Sequence, residues 1–140
     1  MSAGTGIFHS EFNPDAARPV HLLQIWIQPD KLGGKPTYGQ KHFPLAERKD
    51  RLTKVVDNVG ADGALKIGAD AAVYASVLSA GKQVEHALAP GRHAWLHVAK
   101  GSVTANGQKL SDGDAIAVSD EAQVSVTADQ DSELLLFDLK

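Results

Sequence analysis

The sequence predicts an all-β domain, built as an antiparallel sandwich or barrel. About eleven short stretches rich in β-branched and aromatic residues follow one another at intervals of roughly 8 to 12 residues, which is typical of such folds. Turn signals made of Gly, Asn, Asp and Pro separate these stretches. No apolar pattern with a helical period is long enough to compete with this interpretation.

Length and composition favour one domain and exclude several classes of protein. A chain of 140 residues can bury a core without metals or crosslinks. Its 14 Lys and Arg against 17 Asp and Glu give a net charge of -3, so we expect no direct nucleic-acid contact and no attraction to an anionic membrane. With 0 Cys, disulfides and thiolate chemistry are excluded.

The start of the chain gives no sign of export or membrane insertion. Residues 1–13 have neither the basic start nor the apolar stretch of a secretory signal. No segment approaches the roughly 20 apolar residues that a membrane helix needs. We therefore expect a cytoplasmic protein.

Two strands are expected before residue 45. In residues 7–12 (IFHSEF), alternation places Ile7, His9 and Glu11 on one face, and Asn13-Pro14 ends the strand. Residues 20–28 (VHLLQIWIQ) form the most apolar run, and their short length and the following Pro29 predict a strand buried in the core. Gly and Pro in residues 29–44 predict a loop.

The remaining elements follow in sequence order. The charged residues 46–54 suit one or two helical turns, and turn signals at Asp57-Asn58 and Asp62-Gly63 then separate two strands. Three strands are predicted at residues 95–99, 102–105 and 115–118. Asn106-Gly107 among them is typical of a two-residue hairpin turn with positive φ. The other predicted strands are residues 71–78, 84–88, 123–128 and 133–139.

Residues 95–118 carry a family pattern. An aromatic strand ending at Lys100-Gly101, followed by Gly113-Asp114 and an apolar strand, resembles the core of a cupin, a double-stranded β-helix of the jelly-roll kind. The start MSAGTGIFHSEFN, followed by HLLQIWIQP, resembles the middle of pirin-like bicupins, which include quercetin 2,3-dioxygenases of the pirin type. The closing VSVTADQDSELLLFDL is similar to the end of those proteins.

The resemblance covers residues 1–140 and corresponds to the C-terminal half of a pirin-like protein. It implies an N-terminal β arm over residues 1–45, whose strands complete the first cupin in relatives. Residues 46–140 would then form the C-terminal cupin domain. We expect a homodimer, in which the N-terminal strands could be exchanged, because an apolar strand without its partner invites pairing with a second copy.

The same resemblance implies two metal ligands. In the family, the first cupin binds one metal, usually iron, through three His and one Glu, and two of these ligands belong to an HSE motif. That motif matches His9-Ser10-Glu11, so His9 and Glu11 would be half of the site. Side chains at i and i+2 of a strand lie on one face within reach of one ion. The family's other two ligands have no counterpart here. If other residues complete the site of His9 and Glu11, we expect the cofactor to be iron or another divalent metal.

The second cupin is expected to have no metal site of its own. Where the family pattern needs two histidines, residues 84–88 supply only His86, and no His lies near residues 120–124. We expect His86 and His93 at strand ends in solvent and His97 partly packed beside Trp95. Trp26 and Trp95 are expected in the core or an interface, and a last set of residues is expected in turns: Asp112, Asp114 and Asp120.

Three functional hypotheses remain open. The chain is the C-terminal cupin domain of a pirin-like protein related to quercetin 2,3-dioxygenase, without a complete metal site and without activity of its own. Alternatively, it is a non-catalytic module for protein interaction or small-ligand binding. In the third hypothesis it is a metal-dependent dioxygenase, whose site is assembled between subunits from two copies of His9 and Glu11.

Overall fold

A computed structural model describes all residues, 1–140, as a β domain with one short helix and ten strands. None of its helices has the length and apolar character needed to span a membrane. The elements are α1 (Leu45–Arg48), β1 (Thr53–Asp57), a 3₁₀ turn (Ala61–Gly63), β2 (Leu65–Lys66), β3 (Ala71–Leu78), β4 (Gln83–Ala87), β5 (His93–Lys100), β6 (Ser102–Ala105), β7 (Gln108–Ser111), β8 (Ala115–Val118), β9 (Gln123–Ala128) and β10 (Ser132–Leu139).

The strands form two sheets, which confirms the predicted all-β class. One sheet has six strands in the order β2-β1-β3-β10-β5-β8, and the other has four in the order β4-β9-β6-β7. Every neighbouring pair is antiparallel except β1 and β2, which are parallel. Consecutive strands often lie in different sheets, as in a jelly roll.

The core lies between the two sheets. Strand residues alternate between the two faces of a sheet, so even-numbered residues of β5 and β10 point inward, where Leu96, Val98, Leu134 and Leu136 are fully buried. The facing sheet contributes further fully or almost fully buried side chains: Val103, Ala105, Val124, Val126 and Ala128. Burial of these aliphatic groups is the main force that holds the sheets together.

The turn at Asn106-Gly107 is the predicted two-residue hairpin. Both residues have positive φ, 43° and 82°, and Ala105 pairs with Gln108 on either side of the turn. The Asn106 amide donates to the Gln123 carbonyl at 3.1 Å and accepts from the Ser125 N–H at 2.8 Å. The sequence did not predict β7, because QKLS has one apolar residue and lies at the edge of its sheet.

The strands predicted at residues 7–12 and 20–28 of the arm are not formed. Residues 1–44 contain no helix and no strand, and their only bridge joins Ser2 to Thr37. Residues 7–29 make no backbone–backbone hydrogen bond, since neither edge strand of the large sheet, β2 or β8, pairs with them. A strand needs a neighbour to bond its N–H and C=O groups. Residues 20–28 are likewise outside the core, with Trp26 exposed.

Candidate metal ligands and an apolar cleft

His9 and Glu11 lie side by side on the arm. The His9 Nδ1 and Glu11 Oε1 atoms are 3.9 Å apart, and the side chains are 36% and 47% exposed. Ligands about 2.1 Å from a metal ion are about 3.4 Å apart in a tetrahedral site and at most about 4.2 Å apart. A closing movement of about half an ångström would therefore let both atoms bind one ion. No backbone ladder restrains residues 7–29 against such a movement.

The pair has no further ligand within this chain. Nowhere do three or more His, Cys, Asp or Glu side chains come together in a group that could hold a metal ion. A reactive metal centre ordinarily has three protein ligands and one open position. His9 and Glu11 are therefore a candidate half-site, and a metal ion bound there would need its remaining ligands from outside the chain.

His86 lies inside the barrel. The expectation that it lies in solvent at a strand end is therefore wrong. It follows Val84 on the inward face of β4, and its side chain is only 14% exposed. Its Nε2 atom is 2.8 Å from Asp138 Oδ2 on the facing sheet. Its ring also lies against Tyr74, with the centroids 4.7 Å apart. The interaction of His86 with Asp138 therefore joins the two sheets.

Arg92 extends this polar cluster. Its Nε atom donates to Asp138 Oδ1 at 2.6 Å, and its Nη1 atom donates to Asp70 Oδ1 at 2.7 Å. Partial burial lowers the pKa of Arg92, because it disfavours the charged guanidinium. The hydrogen bonds to Asp138 and Asp70 outweigh this effect and raise the pKa above its ordinary value. Burial also raises the pKa of Tyr74. The Asp138 carboxylate is thus shared between His86 and Arg92.

The other two histidines of this region point outward from the large sheet. His93 is exposed, and its Nδ1 atom is 2.8 Å from Ser119 Oγ. His97 is half-buried on the same face of β5 as Trp95. These positions confirm the expectations for His93 and His97. In β10, Phe137 pairs with Trp95 and Leu135 with His97, so apolar side chains also cover the outer face of this sheet.

A cleft of about 600 Å³ lies between this outer face and residues 23–28 of the arm. Trp26 stands on the arm side, and Trp95, His97 and Phe137 stand on the sheet side. Neither tryptophan lies in the core, since Trp26 is 89% and Trp95 44% exposed, so of the two expected places only an interface stays a prediction. The sequence feature that could have predicted this cleft is the unbroken apolar run LLLF in β10. A strand that is apolar on both faces is usually covered on both faces.

The turn aspartates lie where the sequence predicts them. The Asp114 carboxylate accepts from the Ser111 N–H at 2.9 Å, and the Asp112 carboxylate accepts from the Gly101 N–H. Asp120 has a φ of 60°, the left-handed conformation common in turns. The Asp112 and Asp114 carboxylates stabilise their loops, and none of the three residues lines the cleft.

Two family models match the chain. The one described as quercetinase C-terminal cupin domain matches residues 55–139, and the one described as pirin matches residues 1–27, which include His9 and Glu11. The first match falls in the β domain, and the second falls in the arm.

Curated relatives match over nearly the whole chain. A quercetin 2,3-dioxygenase of Escherichia coli strain K12 is 45% identical over 139 residues, which are 99% of this chain and 59% of the relative. A putative quercetin 2,3-dioxygenase of Pseudomonas aeruginosa is 46% identical over 99% of this chain and 60% of its own length. A pirin-like protein of Caulobacter vibrioides is 39% identical, with 99% and 60% covered. The chain thus spans about six tenths of the length of these relatives.

Solved structures show the same fold. The crystal structure of YhhW from Escherichia coli superimposes with a TM-score of 0.77 at 39% identity, covering 82% of this chain and 48% of that chain. A second structure, of bacterial pirin YhhW from Escherichia coli in complex with nickel(II), gives a TM-score of 0.76 at 39% identity, covering 81% and 48%. The predicted cupin jelly roll is confirmed.

Proposed function

The chain belongs to the family of quercetinase C-terminal cupin domains, and we propose that it supports a metal-dependent dioxygenase site by supplying His9 and Glu11 as two of the metal ligands. It is the C-terminal cupin of a pirin-like protein related to quercetin 2,3-dioxygenase. The β domain is the scaffold in this proposal, and the arm carries the chemistry.

One observation carries the proposal: His9 Nδ1 and Glu11 Oε1 are 3.9 Å apart, on a segment that no strand pairing holds in place. An imidazole nitrogen and a carboxylate oxygen suit several divalent first-row metals. The relative YhhW, which was solved in complex with nickel(II), supports a metal of this kind for the present chain.

The residues present fit part of a metal site. A bound divalent ion would supply Lewis acidity toward a substrate oxygen. The contribution of the chain itself is to hold the ion through the His9 imidazole and the Glu11 carboxylate. We expect no dioxygenase activity from the isolated chain, because two protein ligands do not complete a reactive site.

A cytoplasmic location is also part of this proposal, and cell fractionation tests it.

Titration of the purified chain with nickel(II), followed by calorimetry, tests the half-site. We expect His9→Ala and Glu11→Ala each to weaken binding by at least about tenfold, since changes in even the outer shell of a metal site cost 10- to 100-fold. His42→Ala is the matched control, because His42 is exposed on the same arm. Equal affinity of His9→Ala and the unaltered chain would contradict the proposal. One nickel ion bound per two chains would instead favour a site assembled between subunits.

A second candidate function, binding of a small planar aromatic ligand without catalysis, is favoured by the cleft. Its volume of about 600 Å³ lies within the range of about 300 to 1,000 Å³ that is usual for ligand sites. Trp26 and Trp95 provide aromatic surfaces on opposite walls, and His97 provides a polar group. Fluorescence titration, described in the Discussion, tests this candidate.

A further inference from the structure

Asp30 is the residue through which the arm is attached to the β domain. Its N–H donates to the Gly68 carbonyl at 2.9 Å, and its Oδ1 atom accepts from the Asp70 N–H at 3.1 Å. No other residue among residues 1–40 forms a hydrogen bond or an ion pair with residues 45–140. The polar attachment of this part of the arm therefore depends on a single residue.

The backbone that precedes β3 offers Asp30 one acceptor and one donor. The Ala71 N–H donates to the Ala69 carbonyl at 2.8 Å, which closes a three-residue turn with Asp70 at its centre. The Gly68 carbonyl and the Asp70 N–H on either side of this bond have no partner within the β domain. Asp30 satisfies both groups, one with its backbone and the other with its side chain.

Asp70 is itself held by a residue of the polar cluster. Its Oδ1 atom accepts from Arg92 Nη1 at 2.7 Å, and Arg92 also donates to Asp138 of β10. The donors of a guanidinium lie in one plane in fixed directions, so a guanidinium orients the carboxylates that it contacts. The contact with Arg92 therefore restrains the turn that presents the Asp70 N–H to Asp30.

The attachment lies at one end of the cleft, because Asp30 and Asp70 both line it. The arm side of the cleft is formed by residues 23–28, which we call the arm wall. Only Pro29 separates the arm wall from Asp30, and the φ of proline is fixed. Residues 7–29 make no backbone–backbone hydrogen bond, so Asp30 is the fixed point nearest to the arm wall.

We infer that Asp30 and Asp70 are positioning residues for the cleft: Asp30 holds the arm wall over the large sheet, and Asp70, restrained by Arg92, holds Asp30. Without this attachment the arm wall moves away from the sheet, and a bound ligand loses one of its two aromatic surfaces. The effect on ligand affinity rests on the second candidate function, binding of a planar aromatic molecule. The attachment itself does not need a ligand, so the two are tested by separate measurements.

Fluorescence anisotropy of Trp26 tests the attachment. The chain has 2 Trp, so Trp95→Phe leaves only the one in the arm wall. In this background we expect Asp30→Ala to lower the anisotropy, because the arm wall gains mobility. Asp30→Asn should preserve it, because asparagine keeps the side-chain oxygen. Asp15→Ala is the matched control, since the Asp15 carboxylate accepts only from residues of the arm. Unchanged anisotropy in Asp30→Ala would overturn the inference.

The role of Asp70 is tested by a substitution that does not touch the arm. We expect Arg92→Met to lower the anisotropy of Trp26 and to speed amide hydrogen exchange at Asp70 by about 2- to 10-fold, the factor that one hydrogen bond is worth. Asp70→Ala removes the same contact from the loop side and should lower the anisotropy equally. His86→Ala is the matched control, because it removes another contact of Asp138 and none of Asp70. Equal effects of Arg92→Met and His86→Ala would overturn the role of Asp70.

Titration with quercetin, followed by tryptophan emission, tests the consequence for the cleft. We expect Asp30→Ala to weaken the affinity by about 2- to 10-fold and Asp30→Asn to bind as the unaltered chain does. Saturable binding of equal affinity in Asp30→Ala and Asp30→Asn would overturn the positioning of the cleft by Asp30. Absence of saturable binding in every variant would contradict the second candidate function, and the anisotropy of Trp26 would still decide whether Asp30 holds the arm wall.

Discussion

His86 Nε2 on β4 lies 2.8 Å from Asp138 Oδ2 on β10, and this contact crosses the interior from one sheet to the other. Asp138 also accepts from Arg92 Nε at 2.6 Å. We expect Asp138→Asn to lower the free energy of unfolding by about 1 to 3 kcal/mol, because it leaves a partly buried guanidinium with fewer charged partners. Urea denaturation at pH 7 measures this change.

The matched control for this prediction is His93→Ala. His93 lies on the outer face of the large sheet, where it is exposed and contacts only Ser119 Oγ among polar side chains. We expect this substitution to change the free energy of unfolding by less than about 0.5 kcal/mol. If Asp138→Asn were as mild as His93→Ala, the polar cluster would not contribute to stability.

Asp57 makes stability depend on pH. Burial raises the pKa of its carboxyl, but hydrogen bonds from the Gly60 and Val59 N–H groups and from Lys54 outweigh burial and hold the pKa below its ordinary value of 3.8. A depressed folded-state pKa contributes stability that is present above the unfolded value and is lost as pH falls through the folded value. We expect Asp57→Asn to be less stable than the unaltered chain at pH 7. Urea denaturation should show this difference shrinking below a pH of about 4. A difference that is constant from pH 7 to pH 3 would contradict the assignment.

Gly101 tolerates no side chain. Its φ is +95°, and an added Cβ would collide with Ser132 Oγ and would lie 2.5 Å from the Asp131 carbonyl oxygen. Gly107 has a similar φ of +82° but has open space around it. We expect Gly107→Ala to cost about 1 to 3 kcal/mol for the backbone conformation alone. Gly101→Ala should cost roughly 1 to 3 kcal/mol more, because the neighbouring strand must move. Thermal melting of both variants gives the comparison. Equal melting temperatures would show that β10 moves away from the added Cβ at no cost in stability, which would contradict the prediction.

The cleft can be probed by intrinsic fluorescence, because the chain has only 2 Trp and both line the cleft. If the cleft binds planar aromatic molecules, titration with quercetin should quench the emission with saturation. Trp95→Phe should weaken the affinity, since Trp95 and its neighbour Phe137 form the sheet wall. A change that grows linearly without saturation, equally in both proteins, would show only collisional quenching and would contradict a binding site.

Most of the β domain could be predicted from local patterns. Strands β3, β6, β8 and β9 begin and end at the predicted residues, because each is a short β-branched or alternating run between turn residues. The hairpin at Asn106 was also predictable, since its positive φ follows from residue type. These features depend on interactions over a few residues.

The errors concern contacts between distant residues. His86 was expected in solvent, but its partner Asp138 lies 52 residues away in the sequence, and no local pattern reveals such a pair. Residues 20–28 were expected in the core. An apolar run predicts that a segment is buried, but it does not identify the surface that buries it. The candidate ligands His9 and Glu11 were predicted only through the family motif, because an isolated His-x-Glu carries little information.

The position of β10 in the large sheet bears on how the protein folds during its synthesis. This strand lies between β3 and β5 and pairs with both along its length, although β3 precedes it by more than fifty residues. The ribosome releases the chain in order, so β3 and β5 emerge with their central neighbour missing and must wait for residues 132–139. Chaperone contact should therefore persist until residues 132–139 have left the ribosome, and nascent chains stalled before residue 132 should remain sensitive to protease.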